Sequence, residues 1–152
     1  MFIYKNKQLY FMIFLEHFIG FRNIEYSGII LYEEYRQLLL NKFSDNIPHY
    51  WKKFAHHMTI CIGELPTIYR DYRNEEIDLY VTHCGYNENS IAVKVEGFFT
   101  INRDNEFEQK IPHITLATHP EFSPKESNNI KNWKKIKPFK IKGIIKEIYQ
   151  KK

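Results

Sequence analysis

Two short segments of this chain repeat one four-residue pattern. His57-Met58-Thr59-Ile60 and His113-Ile114-Thr115-Leu116 both read histidine, aliphatic, threonine, aliphatic. Polar and apolar residues alternate with period two, the period of a β-strand. Each segment is therefore expected to be a strand with His and Thr on one face and two aliphatic residues turned to a core. Ala55, Cys61 and Ala117 extend the polar faces with small side chains, leaving room beside the imidazoles. Seven His and six Thr give one His-x-Thr about 0.3 times by chance, and two copies in alternating strands in well under ~1% of such chains.

The rest of the chain alternates strands and helices around these segments. Its 152 residues suffice for one domain with a buried core. Tyr26–Tyr32 reads as a strand, and Glu33–Phe43 has Tyr35, Leu38, Leu39 and Phe43 at helical spacing. Ser44–Pro48 breaks that helix. Strands are predicted over 54–62, 77–84, 90–99, 111–118 and 139–149, with 85–89 closing a hairpin and Gly143 inside the last strand. Residues 120–127 begin as a loop, and Asn128–Trp133 is predicted as a short helix. This order predicts an α+β fold with antiparallel sheets flanked by helices. Residues 1–23 form an apolar N-terminal extension and residues 24–152 the domain.

Within that extension, Leu9–Phe21 is apolar but interrupted by Glu16 and His17, too short to span a bilayer. Lys5 and Lys7 precede it as in a signal peptide, but no small-residue cleavage site follows. A core-packing helix or an edge strand is expected, with no membrane role. Met12 could serve as an alternative start. Two cysteines, Cys61 and Cys84, make no disulfide framework and fit a reducing, cytoplasmic compartment. Between Lys125 and Lys152 ten lysines face only Glu126 and Glu147, while the preceding residues are net acidic. A basic end of this kind favours an anionic partner such as a phosphate ester, or is simply a solvated lysine-rich surface.

Phosphodiester cleavage without a metal needs a base for the nucleophile's proton and an acid for the leaving oxygen. Histidine, with its ordinary pKa near 6.5, can do either. Two imidazoles on opposite sides of one phosphorus suit in-line displacement, one neutral and one protonated. His57 and His113 are the candidates, with either assignment of roles open. Thr59 and Thr115 can donate to the non-bridging phosphate oxygens. The bland alternative is two ordinary half-buried strands with hydrogen-bonded histidines. Strand alternation turns His56 away from this face, toward the core or a backbone partner. A zinc site from His56, His57, Cys61, His83 and Cys84 fails because the ligands fall on both strand faces and lack a CxxC-type pair, so no metal or cofactor is expected. No Gly-rich phosphate loop and no G-x-S-x-G occurs, which leaves P-loop, kinase and serine-hydrolase chemistry without support.

The paired motifs resemble those of the 2H phosphoesterase (LigT-like) superfamily over roughly Ile24–Tyr149. The resemblance implies a duplicated, two-lobed α+β fold with the site in a cleft between lobes. It also implies metal-independent phosphodiester chemistry on nucleotides and RNA ends. The flanks Glu25–Leu31 and Phe54–Thr59, with the compact size, are similar to the viral anti-CBASS nucleases and related poxvirus LigT-like enzymes. That narrower likeness implies cleavage of 3′–5′ bonds in cyclic dinucleotides or oligonucleotides such as cGAMP, in evasion of host immunity. The abundance of Ile, Lys, Asn and Tyr, with few Ala, fits a virus or a low-GC microbe. The carry-over makes Tyr26 and Trp133 base-stacking residues, and Ser127 and Asn128 binders of phosphate or a base edge. Each stacked base contributes on the order of 1–3 kcal/mol. The alternative activity is a 2′,3′-cyclic phosphodiesterase acting on RNA ends, and a non-catalytic nucleotide-binding module is a third reading. The expected partner is the nucleotide itself, with no stable protein partner.

Overall fold

The computed structural model describes residues 23–101 and 110–151. The expectations for Leu9–Phe21 and the N-terminal extension fall outside these residues. Among the described residues there are seven strands: β1 (Ile24–Leu31), β2 (Lys52–Lys53), β3 (His57–Ile62), β4 (Glu76–Tyr86), β5 (Ser90–Glu96), β6 (His113–Thr118) and β7 (Trp133–Tyr149). One α-helix, α1 (Glu33–Lys42), follows β1. Six strands close into an antiparallel barrel in the order β1–β3–β6–β5–β4–β7 and back to β1. The two-residue β2 is additional and pairs with Ala117 and Thr118 of β6.

This corrects the expected two-lobed α+β architecture. Two features overturn it. β6 pairs with both β3 and β5, so the sheet has no open break there. β7 is a single 17-residue strand that pairs with β4 from Trp133 to Ile144 and with β1 from Gly143 to Tyr149. The helix predicted at Asn128–Trp133 is instead a 3₁₀ segment, Pro124–Asn129, and Trp133 already begins β7. Beyond α1, the only helices among the described residues are short 3₁₀ segments. None is long and apolar enough to cross a membrane.

The pairing pattern is palindromic. Exchanging β1 with β5, β3 with β6 and β4 with β7 maps every strand pair of the barrel onto another or onto itself. The junction of β3 and β6 is the single pair Met58↔Ile114, the second residue of each His-x-Thr. Each motif strand also bulges at the same place. Gly28 pairs with Thr59 but Ser27 with Cys61, leaving Ile60 extra. Ala92 pairs with Thr115 but Ile91 with Ala117, leaving Leu116 extra. A bulge breaks the alternation, which is why Cys61 and Ala117 are buried along with Ile60 and Leu116.

Aliphatic residues fill the interior, among them Ile29, Met58, Ile114, Leu79, Val93 and Ile145, all essentially without solvent exposure. Leu39 of α1 and Phe43 just past its end join the same cluster. Glu33 and Glu34 in its first turn and Lys42 in its last agree with the helix dipole. The β4–β5 hairpin turns on Asn87, whose Oδ1 accepts from the backbone of Asn89 and Ser90 and from the Ser90 hydroxyl.

Candidate active site

The register Met58↔Ile114 sets the two His-x-Thr segments side by side and antiparallel. All four motif side chains, His57, Thr59, His113 and Thr115, are half-buried and line one cavity of about 410 Å³ on the outer face of the barrel. Tyr26 and Asn128 also line it. The alternation argument therefore places these strands' polar faces correctly up to the bulges.

Each imidazole has one nitrogen engaged. His113 Nδ1 lies 2.8 Å from the Ile111 carbonyl, which accepts from it and leaves Nε2 to exchange protons. His57 Nδ1 lies 3.3 Å from the Tyr26 hydroxyl. The Tyr26 ring is stacked on the His57 ring, centroids 4.4 Å apart. Tyr26 thus packs on the motif histidine itself, whereas the resemblance implies a base-stacking role for it. Gly28 lies beneath this pair, and what excludes a side chain there is the Met58 carbonyl of the first motif, with the Tyr26 ring only at contact distance.

Burial lowers the pKa of His57 to about 4, helped by the neighbouring charges of His56 and His113. His113 is lowered too, by burial and then, more weakly, by Lys110, while the Ile111 carbonyl works the other way. Burial raises Tyr26, with Glu25 adding to it. Both imidazoles are thus biased toward neutrality, and His113 has the contact that steadies a proton.

The threonines differ in their supports. Thr115 Oγ1 is hydrogen-bonded to Ser127 Oγ at 2.9 Å, with the Pro124 carbonyl at 3.4 Å. Ser127 is buried and stands behind Thr115, outside the cavity lining. Hydroxyl donors rotate, so the pair can run with Ser127 donating and the Thr115 proton turned to the cavity. Thr59 is fixed through its backbone, whose carbonyl accepts from the Thr100 hydroxyl at 2.8 Å. The next carbonyl, Ile60, accepts from Ile101 N at 2.6 Å, so residues 100–101 wall the cavity.

Trp133 does not reach the cavity. Its ring lies against the bare Cα of Gly85, and its buried indole N–H has no hydrogen-bond partner among the described residues. His56 is also corrected, because it is exposed and lines the cavity. The cause is Ala55, whose φ of 56° interrupts the extended chain just before β3. Sequence reasoning missed His56, Lys110, Lys125 and Thr100 in the lining. Lys110 and Lys125 had a visible signal in their closeness to the second motif, whereas nothing in the sequence marks a left-handed alanine. His83 and Cys84 lie on β4, away from the cavity, and no group of three or more metal-ligating side chains occurs among the described residues. Cys61 and Cys84 form no disulfide, and the Cys61 thiol donates to the Glu64 carbonyl at 3.3 Å. No family model matches the chain, and no curated protein matches it.

Proposed function

We propose that the protein is a phosphodiesterase of the 2H type in its chemistry, cleaving 3′–5′ bonds of cyclic dinucleotides or cyclic oligonucleotides without a metal. One observation carries this reading: the two imidazoles and two hydroxyls of the duplicated motif line a single cavity. His57, kept neutral by burial, is the base. His113, with its Nδ1 on a carbonyl, carries the proton. His57 takes the proton of a ribose 2′-hydroxyl, the 2′-oxygen bonds to phosphorus, and the bond from phosphorus to the 5′-oxygen breaks. His113 gives its proton to that oxygen, leaving a 2′,3′-cyclic phosphate and a free 5′-hydroxyl. Thr59 and Thr115 hold the charge on the non-bridging oxygens. A viral role against host second messengers and a cytoplasmic site of action follow from the resemblance alone.

Opening of 2′,3′-cyclic phosphates on RNA ends is the second reading, because the same four groups fit that phosphorus. Incubation with cyclic dinucleotide isomers and, separately, with a 2′,3′-cyclic nucleotide, read by chromatography, separates the two. His57→Ala and His113→Ala should each lower kcat by about 10²–10⁴ with folding retained, and EDTA should leave the rate unchanged. Full activity in either variant ends the proposal, and tight binding without product favours a binding module.

A further inference from the structure

Ala55 has no solvent exposure, yet its backbone is left-handed, a conformation disfavoured for any residue with a side chain. Such outliers persist where surrounding structure imposes them, and they gather at functional sites. Here the consequence is specific: both His56 and His57 face one cavity, although neighbours on a regular strand face opposite ways. Lys125 lines the same cavity. It follows Pro124, the residue whose carbonyl lies beside the Thr115 hydroxyl. His57 and Thr115 belong to strands joined at Met58↔Ile114, so His56 and Lys125 flank the same end of the reaction centre. Asn128 adds a neutral polar group there. The nearby Arg36 is committed to Glu33 and to the Phe54 carbonyl. At the other end the lining includes Glu25 beside Tyr26, and Ile62, the register partner of Tyr26. Lys110, beside His113, also lines that end, so the lining there holds one cation and one carboxylate. The first end holds Lys125 with no carboxylate in the lining, and an anion is favoured there.

We infer that His56 and Lys125 form a second anion subsite, which takes a substrate phosphate other than the one being cleaved. The inference rests on the reading of the cavity as a phosphodiester-cleaving site. It makes the preferred substrate a nucleotide with at least two phosphates. Both side chains are exposed, so their replacement spares the core.

The test compares wild type with the His56→Gln/Lys125→Gln double variant on three probes. They are a 3′,3′-cyclic dinucleotide, a linear dinucleotide ending in a 2′,3′-cyclic phosphate, and a 2′,3′-cyclic mononucleotide with its single phosphate. The double variant should lose at least about tenfold more kcat/KM on one of the two-phosphate probes than on the mononucleotide, chiefly through KM. The probe with the larger loss identifies the source of the second phosphate. Equal losses on all three probes, or no loss, overturn the inference. If wild type cleaves none of them, the phosphodiesterase reading falls separately. Calorimetric titration with adenosine 3′,5′-bisphosphate and AMP then decides the subsite. A wild-type preference of about tenfold for the bisphosphate, lost in the double variant, supports it, and equal affinities in wild type overturn it.

Discussion

His57 lies between two other imidazoles under the ring of Tyr26, and its titration is set by that crowding. Unfolded, it takes a proton near pH 6.5; folded, near 4. Between these values the unfolded chain binds the proton and the native one does not, so stability falls as pH drops from about 6.5 toward 4 and is fully present above 6.5. His113, also lowered, acts with the same sign. Urea midpoints should therefore fall across this window in wild type and fall less in His57→Gln; parallel curves for the two proteins would contradict the buried neutral imidazole. The same burial should give a bell-shaped kcat/KM profile with its acidic limb near pH 4. The four motif residues were legible because strand alternation is local and needs no knowledge of neighbours. His56 was not, since its place depends on one backbone dihedral at Ala55 that tertiary structure imposes.

At the level of elements, the wall of the candidate site is built by irregularities where β1 meets β3. Gly28 shows how tightly. A Cβ there would stand 2.7 Å from the Met58 carbonyl oxygen and 3.4 Å from the Tyr26 ring. Gly28→Ala must shift backbone in the first motif, so it should cost about 1–3 kcal/mol of stability and lower activity by moving the Met58 peptide between His57 and Thr59. Wild-type denaturation and kinetics in that variant would refute this account of the wall. Most strands and α1 were legible within a few residues, because their periodicities are strong. The helix expected at Asn128–Trp133 failed for a physical reason: Trp133 and Ile130 cover Gly85 of β4, and a cross-strand contact outweighs a weak local propensity.

For the whole molecule, closure of the barrel joins two similar halves, each bringing one His and one Thr. Closure was not legible, because it depends on pairings such as Ser90↔Thr118 and Ile77↔Gly143 between segments far apart in sequence. The halves meet across β3 and β6 at a single register pair, whereas β4 and β7 pair from Glu76↔Ile144 to Gly85↔Trp133. Amide exchange should accordingly be faster along the β3–β6 seam than along β4–β7, and equal protection across the two would refute the seam. The proposed reaction places its phosphate over that seam, so that the two histidines would act as one catalytic unit. Single-turnover rates of wild type, His57→Ala, His113→Ala and the double variant on one cyclic dinucleotide measure this directly. Groups acting on one phosphorus give losses that do not multiply, so the double variant should be about as slow as the slower single variant. Losses that multiply as for independent sites, or a single variant with wild-type rate, would contradict it.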